Sequence, residues 1–438
     1  VEHRAQKRPY DAGSKMPKGS FRTQDITAKE ITHDFLLKYE KEFSKDIKLT
    51  FTGGGSTLRN NYEREEMRAD SLLRPGMFYP GGAAGDPVFI PYKSKYVINS
   101  FYGLIAAEYR NYLFVDISGR QDWNSVLATP TRTNSTGFFY PSINTSLILS
   151  DMYKMPKKIN FAKLRLSVSS VGSGTTEPYR TSYNYARNYL FPDSIYQNPA
   201  VFANPNLKPL RTVTTELGGN VKMYKNRLGI DVAVYLGNTK NQILERIVDR
   251  STGFTREVIN AGNVRNTGLE LTLNTTPVKA KKKNGFGWNS NIIFSTNRNR
   301  IMDMPDTSIV LNMGPVGGGQ IVAKVGGSMG DLYGRGYVRD AVTGNALITQ
   351  EVVHIGNTIP KGKLGFSNDF SYKAFRFSFL FDGQWGGVAH SLMHYKMVEQ
   401  GKLKVTLPGR YNGIIGNGVV QNPDGTYRKN DVIATDID

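Results

Sequence analysis

The sequence predicts an all-β protein, an antiparallel β-barrel whose strands cross a membrane. Three observations carry that reading. Two-residue alternation of apolar and polar side chains recurs along much of the 438 residues, as expected of strands with one apolar and one polar face. The segments joining these strands alternate between short and long. Finally, 45 Gly, 24 Tyr and 22 Phe, with no Ala-rich helical periodicity, favour strands and turns.

Twelve strands are predicted, over 31–42, 47–57, 97–108, 111–121, 139–150, 161–171, 211–223, 228–240, 264–274, 286–296, 362–372 and 375–386. In the fourth, Leu113, Val115 and Ile117 oppose Asp116 and Ser118. In the sixth, Ala162, Leu164, Leu166 and Val168 oppose Lys163, Arg165, Ser167 and Ser169. In the eighth, Ile230, Val232, Val234 and Leu236 oppose Asp231, Ala233, Tyr235 and Gly237. In the ninth, Leu269, Leu271 and Leu273 oppose Gly268, Glu270 and Thr272, and 260–263 reads as a loop turning into that strand. In the twelfth, Phe375, Phe377, Phe379 and Phe381 oppose Arg376, Ser378, Leu380 and Asp382. Many of these strands are near the nine to eleven residues that cross a bilayer at a tilt. Charges on the polar rows would then line a hydrated lumen.

Short connections are expected near 43–46, 109–110, 151–160, 224–227, 275–285 and 373–374, and long ones at 58–96, 122–138, 172–210, 241–263, 297–361 and 387–438. Structureless loops this long are uncommon in a compact soluble domain. A membrane barrel has short turns on one side and long loops on the other, so the long loops are expected outside the cell. The whole of 1–438 is expected to be part of one barrel domain.

Lys and Arg total 56 and Asp and Glu 37, a net charge of +19. That balance favours a polyanionic partner or surface, such as nucleic acid, anionic lipid or phosphorylated glycolipid. With no cysteine there are no disulfides and no thiolate metal sites. No apolar run reaches the length of a transmembrane helix. The first 20 residues are polar and basic rather than a signal peptide, and Asp436-Ile437-Asp438 ends the chain in mid-loop. An interior piece of a longer polypeptide is expected.

No catalytic set emerges, so no enzyme, cofactor or metal is expected. His3, His33, His354, His390 and His394 are scattered, and the four-residue spacing of the last two lacks the Glu of a zinc-protease helix. No G-x-S-x-G elbow occurs. Gly317-Gly318-Gly319 and Gly326-Gly327 have no Lys-Ser/Thr in phosphate-loop spacing. In 172–210, Tyr179, Arg180, Tyr183, Tyr185, Arg187 and Tyr189 are the candidate substrate or partner contacts, because aromatic faces beside polar tips suit sugar rings and peptide side chains. Packing of the loop against itself explains them as well. Lys279, Lys281, Lys282 and Lys283 read as a solvated turn. No nucleic-acid-binding module accompanies them, so no nucleic-acid partner is expected.

Five segments resemble the SusC/RagA family of TonB-dependent outer-membrane transporters. They are Leu164 to Ser169 with Val171-Gly172; Asn204-Pro205-Asn206-Leu207-Lys208-Pro209; the stretch 260–273 with Asn260, Gly262, Asn266, Gly268 and Glu270; 334–344 with Gly336-Tyr337, Asp340 and Thr343-Gly344; and 355–387 with Ile355-Gly356-Asn357, Pro360, 365–375 and Asp382-Gly383. They stand in the family's order. The resemblance implies a share of a 22-stranded barrel whose plug domain is not in this chain. It also implies the outer membrane of a Gram-negative, Bacteroidetes-like bacterium, and energy from TonB through the plug. A SusD-like surface lipoprotein as lid, glycan or peptide as cargo, surrounding outer-membrane lipid or lipopolysaccharide, and the remaining segments of the same barrel are the partners it implies. The competing reading is a soluble or surface-attached β-rich adhesin or carbohydrate-binding protein.

Overall fold

The computed structural model describes residues 1–10, 17–129, 131, 136–174, 177–188, 195–282, 284–313, 319–339, 346–416 and 418–434. Thirteen strands form one antiparallel meander, each hydrogen-bonded to the next in chain order. They are β1 (Glu2–Arg8), β2 (Ser20–Ser44), β3 (Ile47–Ala69), β4 (Val88–Tyr109), β5 (Leu113–Asn124), β6 (Gly137–Ile148), β7 (Ile159–Ser173), β8 (Leu210–Met223), β9 (Leu228–Ile247), β10 (Arg256–Val278), β11 (Gly287–Asp303), β12 (Gly362–Tyr372) and β13 (Phe375–Trp385). Every predicted strand is present in its predicted place, and β1 is additional. Its sequence, EHRAQKR, shows no apolar row, so alternation gave no sign of it.

Several strands are much longer than predicted. β2 has 25 residues, β3 and β10 have 23, and β4 has 22, where about ten suffice to cross a bilayer. The surplus lies at the long-loop end. It replaces most of the expected loops 58–96 and 241–263 with paired strand, leaving 70–87 and 248–255 as connections. The latter is shorter than the 149–158 connection at the opposite end, so the length alternation breaks at that one place. Most of 304–361 is folded rather than open loop: Ser308–Met313, Gln320–Lys324, Asp331–Arg339 and Ala346–Asn357 make a second, four-stranded antiparallel sheet. In the expected loop 387–438 a helix covers Leu392–Glu399, capped where Ser391 Oγ accepts the His394 amide at 3.1 Å.

The register fixes the two faces of the wall. Leu217 of β8 lies opposite Leu166 of β7 and Val234 of β9, and Val234 lies opposite Leu269 of β10. This apolar row is open to the surroundings: Leu166 is 50% exposed, Leu217 48% and Val234 43%. The same holds for Phe101, Ile105, Ile117 and Ile143 in β4–β6. The opposite row is polar and cross-linked. Arg165 Nη1 and Nη2 donate to Asp231 Oδ2 and Oδ1 at 2.9 and 2.7 Å, Asn220 Nδ2 donates to Asp231 at 2.7 Å, and Ser118 Oγ lies 2.6 Å from Ser142 Oγ. A soluble sheet buries its apolar face and wets its polar one; here the apolar face is the uncovered one.

Buried apolar clusters form elsewhere, among the strand tips and loops of the long-loop end. Ala261, Val264, Ile301, Met304, Ile309 and Ala323 make the largest, joining β10 and β11 to the second sheet. Phe21, Met67, Ala69 and Leu72 make another, and Leu127, Leu207 and Val258 a third.

Candidate functional site

The outer ends of β3 and β4 carry the polar row beyond the bilayer-length part of the wall. In β3 the residues facing with Thr50, Thr52 and Gly54 continue as Tyr62, Arg64 and Glu66, and in β4 the same face holds Tyr92. The loop between β7 and β8 folds over these tips. Together they enclose a cavity of about 650 Å³ whose lining includes Tyr62, Arg64, Tyr92, Glu177, Tyr179 and Arg180. Its β3 and β4 lining residues all belong to the polar face of the wall.

Each wall is held by named contacts. Tyr62 and Tyr92 meet edge-on with ring centroids 5.9 Å apart, and the Arg64 guanidinium stands 5.5 Å from the Tyr92 centroid. Beyond them toward the strand tip Glu66, 5% exposed, accepts from Gln24 Nε2 at 2.7 Å and pairs with Arg22 at 2.8 Å and Arg64 at 3.7 Å. Burial alone would raise its pKa. The hydrogen bonds from Arg22 and Gln24 and the nearby charges outweigh burial and hold the carboxyl below the usual carboxylate range. On the loop side, Arg180 pairs with Glu177 at 2.5 Å and Glu245 at 2.8 Å, and its carbonyl accepts the Asn204 amide at 2.9 Å. Thr181 Oγ1 donates to Ala128 O at 2.6 Å. Tyr179 sits at φ +67°, an uncommon backbone region for a non-glycine residue, and the residue is 54% exposed.

The six loop candidates therefore separate. Tyr179 and Arg180 line the cavity, with the Arg180 charge already engaged by two carboxylates. Tyr183 and Tyr185 belong to the loop's own packing: their rings are 5.2 Å apart, Tyr183 also meets Phe202 and Phe254, and its hydroxyl donates to Asn198 at 2.6 Å. Arg187 lies in a two-residue strand paired with Tyr196. Tyr189 lies outside the described residues. Tyr62 and Arg64 were missed because Arg59-Asn60-Asn61-Tyr62-Glu63-Arg64 is polar on both faces, and Tyr92 because Val88-Phe89-Ile90-Pro91 before it is apolar on both, so neither stretch carries a two-faced signal.

The stretch 260–273 lies wholly within β10. The reading of 260–263 as a loop is thus corrected: Asn260, Ala261 and Asn263 pair with β9, which runs on to Ile247. Asn260 clamps the end of the β7–β8 loop, accepting the Lys208 amide at 2.8 Å and donating to Lys208 O at 2.8 Å and Asn241 O at 3.1 Å. Gly262 has φ +52°, and a Cβ there would stand 2.1 Å from Asp303 O, beside the bulge between β10 and β11. Asn266 Oδ1 accepts from Asn299 at 2.9 Å and Asn297 at 3.2 Å. Gly268 leaves room for the Tyr235 ring, which a Cβ would meet at 2.3 Å. Glu270 is exposed on the polar face. Among the described residues no group of three His, Asp or Glu is arranged to hold a metal ion.

Residues 4–390 match the family described as "TonB dependent receptor-like, beta-barrel". TonB-dependent receptor P26 of Formosa agariphila is 25% identical over 409 residues, covering 85% of this chain and 41% of the relative. TonB-dependent receptor P3 of the same organism is 24% identical over 405 residues, 83% of this chain and 39% of the relative. The chain thus spans about two fifths of the length of these curated relatives. A structure of the RagAB peptide transporter superposes with a TM-score of 0.73 at 17% identity, over 88% of this chain and 44% of that one. In the "closed-closed" state of the RagAB peptide importer the TM-score is 0.70 at 18% identity.

Proposed function

The chain belongs to the TonB-dependent receptor-like β-barrel family, and from that premise we propose that it forms part of the wall and outer mouth of a SusC/RagA-like importer. Its place is the outer membrane of a Gram-negative, Bacteroidetes-like bacterium, with the long loops outside. It moves oligosaccharides or peptides inward, with TonB supplying energy through a plug and a SusD-like surface lipoprotein closing the mouth. The role is transport, not catalysis.

One observation carries the reading: the apolar row is exposed while the polar row is tied by Arg165–Asp231 and its neighbours. A wall between lipid and a wet lumen requires that inversion, and a soluble adhesin forbids it. The cavity at the mouth is where cargo is first held. Tyr62, Tyr92 and Tyr179 offer ring faces to sugars or apolar peptide side chains.

Uptake by the full-length transporter tests this. Tyr62→Ala with Tyr92→Ala should weaken cargo binding by about tenfold while the barrel keeps its heat-modifiable gel mobility. Unchanged binding of both an oligosaccharide pool and a peptide pool would remove the cavity from the cargo path. Failure to recover any lipoprotein with the tagged transporter in mild detergent would remove the lid.

A further inference from the structure

The antiparallel meander places six connections, 45–46, 110–112, 149–158, 224–227, 279–286 and 373–374, at one end of the sheet. Every one contains Lys or Arg. Together they hold twelve cations against two anions, Asp46 and Asp151, which is net +10 of the chain's +19. The six connections at the other end within the sheet, 9–19, 70–87, 125–136, 174–209, 248–255 and 304–361, hold twelve cations against ten anions in far more residues. The basic character of the chain is thus gathered on the short-turn rim.

The rim cations are presented outward. Lys154, Lys157, Lys158, Lys225, Lys281 and Lys282 are exposed. Among the described residues Arg110 is the only rim cation in an ion pair, with Asp46 at 3.1 Å. Aromatic side chains alternate with them. Tyr153 is 58% exposed, Tyr224 51% and Tyr372 51%, and the Arg110 guanidinium stands 5.2 Å from the Tyr109 ring and Lys373 Nζ 5.3 Å from the Tyr372 ring. Amphipathic rings at a bilayer boundary beside unpaired ammonium groups are the side chains that meet lipid headgroups.

We propose that this rim binds anionic phospholipid headgroups, of the phosphatidylglycerol class, in the leaflet on the short-turn side. The inference rests on the membrane-barrel reading. Charge complementarity selects the occupant: a net +10 edge along this part of the wall meets a phosphodiester with no compensating amine better than a zwitterion. The source is phospholipid rather than a phosphorylated glycolipid around the long loops, since that end is nearly neutral.

The test is native mass spectrometry of the full-length transporter from mixed micelles holding equal phosphatidylglycerol and phosphatidylcholine. Wild type should retain phosphatidylglycerol over phosphatidylcholine by about fivefold or more, and the preference should fall with salt. The variant Lys154→Gln, Lys157→Gln, Lys158→Gln, Lys281→Gln, Lys282→Gln should lose it while keeping heat-modifiable mobility. Neutralising Arg74, Arg250, Lys324, Arg335 and Lys361 at the other end should leave it intact. No preference in wild type, a preference that survives the rim variant, or one lost only in the long-loop variant would overturn the proposal. Retention of the wild-type rim on purified cell-wall sacculi with no phosphatidylglycerol preference would overturn it in favour of a wall polymer. If wild type lacks heat-modifiable mobility in phosphatidylcholine, the barrel reading itself fails and takes the proposal with it.

Discussion

The two ends of this sheet obey opposite rules of burial. In the middle and short-turn part of the wall, Leu166, Leu217 and Val234 are exposed while Arg165 and Asp231 are paired on the other face. At the long-loop end Leu72, Leu127, Leu207 and Ile301 are essentially inaccessible, and charges such as Lys93 and Glu63 stand outward. The middle of the wall is solvated by hydrocarbon and the long-loop end by water. The same β-strand therefore carries two codes along its length, and the change of code marks where the wall leaves the bilayer.

The largest effect that can break this comparison is a charge on the apolar row. Leu166→Arg should destabilise the barrel by about 2–4 kcal/mol near the midplane, whereas its neighbour Ser167→Arg, opposite Glu216, should cost about 0–1 kcal/mol. Urea unfolding in lipid vesicles reads the difference, and equal costs would mean that both faces meet the same medium. Next is backbone strain above the bilayer. Gly262→Ala should cost about 1–3 kcal/mol, because its φ and the Asp303 carbonyl leave no place for a Cβ. Thermal unfolding of the variant checks it, and a neutral result would mean the bulge relaxes.

Glu66→Gln should cost about 1–3 kcal/mol by leaving Arg22 and Arg64 without a counter-charge. Its pH signature is set by the sign of the shift. A carboxyl lowered by folding contributes stability that is complete above its unfolded pKa, about 4.3, and is lost as pH falls through the lower folded value. Acid titration of unfolding should therefore show wild type converging on the variant only below that range. Smallest is the exposed Lys93–Glu63 pair at 3.3 Å: Glu63→Gln should change stability by no more than about 0.5 kcal/mol.

The same change of code explains how much was legible beforehand. Strands such as β7–β10 announced themselves where lipid on one side and water on the other impose alternation. The pairing across the short turns followed, since those connections are short enough to force antiparallel neighbours, whereas 174–209 and 304–361 impose no such constraint. The outer halves of β3 and β4 were illegible because neither shows a two-faced pattern: Arg59 to Arg64 are polar on both faces and Val88 to Pro91 apolar on both, so both stretches read as loop. Tyr62 and Tyr92 were lost with them, although they build one side of the cavity. The second sheet was missed for a related reason: its apolar residues, Ile309 and Ala323 among them, are buried by packing on β10 and β11, a long-range contact with no local signature. In the β7–β8 loop, composition showed that aromatics cluster but not which ring faces the cavity and which faces Phe202.

The absence of cysteine from the 438 residues opens the most direct test of the inverted wall. Spin labels placed through Leu166→Cys and Ser167→Cys, one at a time in the reconstituted transporter, report collision with oxygen, which concentrates in hydrocarbon, and with a water-soluble nickel chelate. A lipid-facing apolar row predicts high oxygen and low nickel accessibility at position 166 and the reverse at position 167. Nickel access at 166 equal to or above that at 167 would contradict the account.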